Sequence, residues 1–242
     1  IFLRVNITKC TRKDAIQALQ KDGIISKLHP NVSTALIVDE GTRNIKNSEA
    51  YNLGLVELQD ASSQASVLQL SNDQHGPILD YCAGGGGKAL ALNAYLKKPI
   101  FAYDANLFRM KDLPTRANRS GADIRIIKSN DLKSSHYGLV FCDAPCSGSG
   151  TWRRDPEGKW SITLRDFQKL LSLQENILRA AAQLVLANGR LVYATCSVLK
   201  DENKTQIQKF LANSNEWVFE KEKLFMPNEL GDGFYFATLK KK

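Results

Sequence analysis

The chain has no long hydrophobic run and few cysteines. None of its apolar segments approaches the roughly 20 residues that a membrane-spanning helix needs. The apolar residues at the start are interrupted by Arg4, Asn6 and Lys9, which is unlike a signal peptide. The five cysteines are an odd, scattered set, so they argue against a disulfide framework and favour a reducing compartment. We therefore predict a cytoplasmic protein.

Internal repeats and low-complexity segments are also absent. The 242 residues are 43% hydrophobic and 24% charged, which is typical of a globular protein with a substantial core. A formal net charge of +8 favours a polyanionic partner such as nucleic acid, although the terminal Lys240, Lys241 and Lys242 supply part of it. Because the chain begins at Ile1 rather than at Met, we expect it to be part of a longer protein.

The first 56 residues differ in pattern from the rest and predict a small α+β subdomain. Residues 1–6, 23–28 and 35–38 have strand character, and Thr11 with Asp14 marks the start of a helix over 11–21. This β-α-β-β order resembles half of an RNA-recognition fold. An N-terminal extension packed on the main domain fits the same pattern.

Residues 57–242 predict a catalytic domain of the α/β class, with a doubly wound, mostly parallel, Rossmann-like sheet. Near-continuous apolar runs bounded by Gly, Pro or Asp are typical of parallel strands covered on both faces, and they occur at 77–83, 99–104, 124–128, 137–143 and 189–196. Helices are predicted at 88–96, 107–120, 162–186 and 201–211, with Pro114 kinking or shortening the second. Residues 217–222 and 233–239 predict an antiparallel hairpin at the sheet edge.

A glycine-rich turn, DYCAGGGGK, follows the first of these strands and opens a helix. Glycines there let a ligand approach the backbone closely. A phosphate-binding P-loop is disfavoured, because Cys82 stands where that motif needs Gly and Ala89 where it needs Ser or Thr. A dinucleotide fingerprint counted from Gly84 also ends on Ala89, a substitution that some dinucleotide sites tolerate.

Acidic residues follow the next two strands. Asp104 lies at the end of the second strand, where a carboxylate can accept hydrogen bonds from both hydroxyls of a ribose. Asp131 follows the third strand and is placed to meet an adenine amino group. Either aspartate alone is more often a helix cap or a turn residue, but their repetition at successive strand ends favours an adenosine-bearing cofactor.

Two cysteines follow the ends of the last two parallel strands, Cys146 in DAPCSGSGT and Cys196 in ATCS. A thiol held on a turn outside a strand end is exposed enough to react, whereas Cys142 and Cys10 are predicted core residues. Two buried, inert thiols are the alternative. A four-thiolate metal site is not expected, because the spacing forms no C-x-x-C pair.

Together these motifs resemble the RNA (cytosine-5) methyltransferase family, and most of all its bacterial Sun/Fmu, RsmB-type branch, which modifies small-subunit (16S) ribosomal RNA. The resemblance runs from LRVN through VELQDASSQ, DYCAGGGGK and DAPCSGSGTWRRDPEGKW to ATCS and GDGFYFATLKK. It implies S-adenosylmethionine as the cofactor and a methyltransferase sheet. One departure is Gly84-Gly85, where family members usually have Ala-Pro; the loss of the proline leaves the turn more flexible.

The resemblance also implies roles for individual residues. Cys196 is the nucleophile that bonds the base, Cys146 assists product release, and Asp143 faces ring nitrogen 3 of the pyrimidine. Lys88 is either near cofactor and base or a solvated first-turn lysine. The implied cofactor-binding set is Cys82, Ala83, Gly84, Gly85, Gly86, Gly87, Lys88, Asp104, Arg109, Asp131 and Asp143.

The segment TWRRDPEGKW mixes cations with tryptophans and is predicted to contact RNA. Arg153, Arg154 and Lys159 would hold phosphates while Trp152 and Trp160 stack on unpaired bases. A surface loop with both tryptophans packed on the core is the alternative.

The sequence thus predicts an enzyme that methylates carbon 5 of cytosine in small-subunit ribosomal RNA. A transfer RNA methyltransferase and a non-catalytic RNA-binding assembly factor remain alternatives.

Overall fold

A computed structural model describes residues 1–242, which form two sheets with flanking helices. The strands are β1 (Phe2–Val5), β2 (Ile25–Leu28), β3 (Ala35–Glu40), β4 (Val56–Leu58), β5 (Ile78–Asp80), β6 (Ile100–Ala102), β7 (Ile124–Ile126), β8 (Tyr137–Asp143), β9 (Val185–Thr195), β10 (Trp217–Phe225) and β11 (Phe234–Lys241). The helices are α1 (Arg12–Lys21), α2 (Glu49–Asn52), α3 (Ala61–Leu68), α4 (Gly87–Leu96), α5 (Leu113–Ser120), α6 (Pro156–Ser161), α7 (Leu164–Leu184) and α8 (Lys204–Ala212). Short 3-10 turns connect several of them.

The N-terminal sheet is antiparallel, in the order β2-β3-β1-β4. Helix α1 begins with the capping box that its sequence predicts, since the Thr11 hydroxyl accepts the Asp14 N–H and the Asp14 carboxylate accepts the Thr11 N–H. The sequence prediction missed α2 and β4, because four and three residues are too short to show a periodicity. Strand β4 ends at Leu58, two residues beyond the predicted boundary after residue 56, and the division into domains stays a prediction.

The large sheet has the order β10-β11-β9-β8-β5-β6-β7. Strands β5 to β9 are parallel, and β10 and β11 add an antiparallel hairpin at one edge. The predicted doubly wound α/β fold with an edge hairpin is therefore confirmed. From β5 the chain builds β6 and β7 on one side, then β8 and β9 on the other. The carboxyl ends of β5 and β8 flank this switch point, where open α/β sheets bind ligands.

Both faces of the large sheet are buried, which explains the near-continuous apolar strands. Along β8, Leu139 and Phe141 belong to one hydrophobic cluster, whereas Val140 and Cys142 belong to the cluster on the opposite face. All four side chains are fully buried. Each large apolar side chain so buried stabilises the fold by about 1.5–3 kcal/mol, so the sheet is a rigid base for the loops at its end.

Two predicted segments differ in the structure. Residues 107–120 form a 3-10 turn, Leu107–Met110, followed by α5, and Pro114 lies in the first turn of that helix, where its missing N–H costs no bond. The predicted shortening at Pro114 is thus confirmed. Residues 151–160 are not a simple loop, because Pro156 starts helix α6. None of the helices combines the length and apolar character that crossing a membrane requires.

Candidate active site

The two strand-end cysteines lie side by side. Cys146 follows β8 and Cys196 follows β9, and their sulfur atoms are 3.2 Å apart, within hydrogen-bonding distance. Both residues are half-buried, whereas Cys142, inside β8, is fully buried. Cys10 is half-buried beside the core of the small sheet. The parallel sheet therefore brings together two partly accessible thiols that are 50 residues apart in sequence.

The pair is electrostatically unequal. Hydrogen bonding to Cys146 lowers the pKa of Cys196, with a smaller contribution from the Lys88 ammonium, against the opposing effects of burial and of Asp143. The same hydrogen bond, together with burial, raises the pKa of Cys146 well above its usual value. Cys196 is therefore the more acidic thiol of the pair and Cys146 the less acidic one. A thiolate is the nucleophilic form of cysteine.

Lys88 joins the glycine-rich turn to the cysteine loops. Its ammonium donates to Asp143 Oδ2 at 2.9 Å and to Ser63 Oγ at 2.5 Å, and it lies 4.3 Å from the centre of the Phe234 ring. The Lys88 side chain is only 6% exposed, whereas Asp143 is 30% exposed. Lys88 is therefore a buried lysine and not a solvated surface residue. The Asp143 carboxylate is partly exposed in the site, and the buried Lys88 ammonium balances its charge.

Glu202 fixes the loop that carries Cys146. It follows β9 in a short 3-10 turn and is completely buried. Its carboxylate accepts the Ser147 N–H at 2.8 Å, the Ser147 hydroxyl at 2.5 Å and the Gln174 side-chain amide at 2.9 Å. A buried carboxylate is stable when several donors satisfy it. The loop after β8 is therefore held by a residue from the segment after β9.

A second contact joins the same two loops. The Ser149 and Ser197 hydroxyls are 2.8 Å apart, and Ser149 Oγ accepts the Val198 N–H at 2.9 Å. Sequence reasoning missed this serine and glutamate network. Glu202 lies in the polar run KDEN, which reads as a surface turn, and only the packing of α7 against the sheet reveals its partners.

The glycine-rich turn leads into α4 through residues that require glycine. Gly86 has φ +82°, and a Cβ atom there would lie 2.1 Å from a Leu113 methyl carbon. Asp104 organises the start of the turn, because its Oδ2 accepts the Gly84 N–H at 2.9 Å and lies 3.3 Å from the Arg109 guanidinium. Three predicted cofactor residues, Gly84, Asp104 and Arg109, are therefore in contact.

Two arginines hold the carbonyl oxygens of this turn, and we call them the arginine brace, Arg4 and Arg116. Arg4, from β1, donates to the Gly87 carbonyl at 2.7 Å, and Arg116, from α5, donates to the Gly85 carbonyl. Arg116 also pairs with the buried Glu57 of β4 at 3.0 Å. Burial lowers the pKa of Arg4 to about 10, which leaves it charged at neutral pH. The small sheet thus positions the turn of the large one.

Asp80 is a buried carboxylate that the sequence reasoning did not single out. It ends β5 directly before the turn, is completely buried, and neither carboxylate oxygen has a hydrogen-bond partner. Burial, reinforced by the nearby Asp143 charge, raises the pKa of Asp80 to about 7. An unpartnered buried carboxylate at a ligand-binding edge favours a cationic ligand group.

Other predicted cofactor residues have no catalytic contact. Asp131 is exposed in a 3-10 turn, where its carboxylate accepts the Lys128 N–H at 2.9 Å. Ala83 is buried, and its N–H donates to the Tyr103 carbonyl at 2.9 Å. Burial raises the pKa of Cys82, so its thiol stays protonated. The adenine role of Asp131 stays a prediction.

The cations of the predicted RNA-contacting segment have different partners: two are paired with a buried carboxylate, and one lies beside an exposed tryptophan. Arg153 and Arg154 pair with the buried Asp232 at 3.3 and 2.5 Å. Lys159 lies 5.0 Å from the ring centre of Trp160, which is 80% exposed. No group of three or more His, Cys, Asp or Glu side chains is arranged to hold a metal ion.

Comparison with known proteins identifies the family. The family model for the 16S rRNA methyltransferase RsmB/F matches residues 65–240. The chain belongs to the RsmB/F family. The RsmB-type resemblance of its motifs is thereby confirmed.

Individual relatives agree with this RsmB/F assignment. The chain is 32% identical over 254 residues to the ribosomal RNA small subunit methyltransferase B of Proteus mirabilis, with all of this chain and 59% of the relative covered. It thus spans less than two thirds of that relative. The crystal structure of PH0851 superposes with a TM-score of 0.91 and 29% identity, over 100% of this chain and 59% of the other. NSun6 from Pyrococcus horikoshii, solved with SFG, gives a TM-score of 0.82 at 18% identity, over 99% and 90% of the two chains, and shares the fold.

Proposed function

We propose that the chain transfers a methyl group from S-adenosylmethionine to carbon 5 of a cytosine in RNA, with small-subunit ribosomal RNA as the substrate. One observation carries the proposal: two thiols of unequal acidity lie 3.2 Å apart beside a carboxylate that faces the open site. Membership of the RsmB/F family supports the reaction and the class of RNA.

The residues around the turn fit this cofactor. S-adenosylmethionine carries a sulfonium and an ammonium group, and the unpartnered Asp80 carboxyl group at the strand end becomes a complementary anion when it loses its proton. Asp104 is held by Gly84 and Arg109 and keeps acceptor capacity for ribose hydroxyls. SFG, found with a relative of the same fold, is an analogue of this cofactor. When bound, the cofactor supplies an electrophilic methyl group.

The cysteine pair explains how carbon 5 becomes reactive. Carbon 5 of cytosine is a poor nucleophile, and bonding of a thiolate at carbon 6 makes the ring enamine-like. Cys196, the more acidic thiol of the pair, forms this bond as its thiolate. Ring nitrogen 3, where negative charge develops, takes up a proton from water, the Asp143 carboxylate accepts a hydrogen bond from that N–H, and the Lys88 ammonium balances the Asp143 charge. Because a stacked base cannot reach these groups, the target cytosine is unpaired or flipped out.

Cys146 completes the reaction as the base that removes the carbon 5 proton. Its pKa is raised by the hydrogen bond with Cys196 and by burial. Once the Cys196 sulfur is bonded to carbon 6, Cys146 releases its proton to water, and the resulting thiolate accepts the carbon 5 proton. Loss of the carbon 5 proton then restores the ring double bond and expels the Cys196 thiolate. The pair acts in sequence, one cysteine after the other.

RNA labelling tests the proposal. The chain is incubated with cofactor labelled in its methyl group and with ribosomal or transfer RNA, and the RNA is then digested to nucleosides. We expect label in 5-methylcytidine from small-subunit ribosomal RNA; label from transfer RNA alone would change the substrate, and no label at all would refute methyl transfer. Cys196→Ala should abolish turnover, Cys146→Ala should accumulate a covalent RNA adduct, and Cys10→Ser is the matched control with unchanged activity.

A further inference from the structure

The distance between the two active-site thiols suits a second reaction that needs neither RNA nor cofactor. Sulfur atoms in a disulfide are about 2.05 Å apart, and Cys146 and Cys196 start at 3.2 Å, so closure requires a movement of only about 1 Å. Both cysteines lie on turns outside their strands, where side-chain rotation is less restricted than inside the sheet. The bond would form without rearrangement of the core.

The surrounding network keeps the two thiols facing each other. Glu202 and the Ser149–Ser197 contact join the two loops, so neither cysteine can move away independently. Both cysteines are half-buried, which leaves them accessible to a small oxidant. Cys142 is fully buried, so it is not an accessible competitor.

We propose that Cys146 and Cys196 form an oxidative modification site that hydrogen peroxide converts to an intramolecular disulfide. The Cys196 thiolate attacks one peroxide oxygen, an S–O bond forms, the O–O bond breaks and hydroxide leaves. The Cys146 sulfur then attacks the Cys196 sulfur, the S–S bond forms, the S–O bond breaks and a second hydroxide leaves. The two hydroxides take up the two protons that the thiols lose. In total, two thiols are oxidised by two electrons to a disulfide, and one peroxide is reduced to two waters.

The disulfide would switch off methyl transfer reversibly. The disulfide removes the Cys196 thiolate that methyl transfer needs. It also protects the Cys196 sulfur from further oxidation to sulfinic acid, which thiols cannot reduce, whereas they can reduce a disulfide. Cys146 is therefore the resolving partner, and its absence should direct the oxidised Cys196 toward oxygen adducts. The unequal protonation of the pair suits these roles, since one sulfur attacks the oxidant and the other follows.

Mass spectrometry of the full chain tests this site. The chain without RNA or cofactor is treated with hydrogen peroxide, the peroxide is removed, free thiols are alkylated in denaturant so that the buried Cys142 also reacts, and the digest is mapped. We expect the intact mass to fall by two hydrogens, the number of alkylated cysteines to fall from five to three, and a peptide that links the Cys146 and Cys196 segments. Dithiothreitol should restore all five thiols and methyl transfer.

Three variants make the test specific. Cys146→Ser should give no linked peptide and should add oxygen to Cys196, and Cys196→Ser should give neither product. Cys10→Ser is the matched control and should form the same linked peptide as the native chain. Oxygen adducts on native Cys196 without a link, or links through Cys82 or Cys142, would overturn the proposal. The linked peptide and the thiol count do not depend on methyl transfer, so this site can be tested even if the proposed function fails; only the loss and recovery of methyl transfer rest on the proposed function.

Discussion

Shortening Arg116 should weaken cofactor binding without unfolding the protein. Arg116 donates to the Gly85 carbonyl in a turn of four glycines, which has unusual freedom to move. A hydrogen bond from a charged group contributes about 1.5–3 kcal/mol when buried. The Arg116 side chain is 21% exposed, so we expect the lower end of this range. A loss of about 1.4 kcal/mol raises the dissociation constant about tenfold.

Calorimetric titration with S-adenosylhomocysteine measures this change in Arg116→Met. Hydrogen exchange at residues 83–88 of the unliganded chain provides a second readout, and it should accelerate. Arg119→Met is the matched control, because Arg119 pairs with the same buried Glu57 but does not contact the turn. Equal weakening in both variants would trace the effect to an unpaired Glu57 and would refute a role for Arg116 at the turn.

A proline at position 85 should rescue Arg116→Met. Gly85 does not occupy the left-handed region, and its N–H makes no backbone hydrogen bond that a proline would remove. A Cβ atom at residue 85 would lie 3.0 Å from the Arg116 guanidinium, so a side chain there fits best once Arg116 is shortened. Proline restricts the unfolded chain by about 0.4–1 kcal/mol. Failure of Gly85→Pro to slow the exchange of the turn would contradict this account.

Three further substitutions test the buried charges. Burial raises the pKa of Asp80 to about 7, so the folded chain keeps a proton that the unfolded chain releases near pH 4. The free energy of unfolding therefore falls as the pH rises from about 4 to about 7. Asp80→Asn should remove this fall, measured by urea unfolding. Glu202→Ala leaves the Ser147 N–H unsatisfied and should lower the free energy of unfolding by about 2–4 kcal/mol in the same assay. Arg154→Met weakens the pairing of buried Asp232 and should lower the midpoint of thermal unfolding, measured by circular dichroism.

The sequence predicted the parts of this fold that depend on local patterns. Runs apolar on both faces identified the five parallel strands, and the strand-end rule placed Cys146, Cys196 and Asp143 at one edge. Short elements such as β4 and α2 were missed because they are stabilised by tertiary packing and not by their own propensity.

The parts that could not be predicted are contacts between distant segments. Glu202 meets Ser147 across 55 positions and Arg116 meets Glu57 across 59, and neither pair has a spacing that a periodicity detects. Asp232 lies between two glycines and reads as a turn residue, although it is buried against Arg154. A polar residue in a turn does not reveal from its neighbours whether it faces water or an ion pair.

The two halves of the site are held by different interactions. Buried hydrogen bonds to Glu202 fix the cysteine half, where proton transfer and bonding to carbon 6 require positions accurate to a fraction of an ångström. The arginine brace holds the carbonyl oxygens of the glycine-rich turn through the buried Arg4 and the partly exposed Arg116. A cofactor must enter and leave once per turnover, whereas the thiols must not move apart.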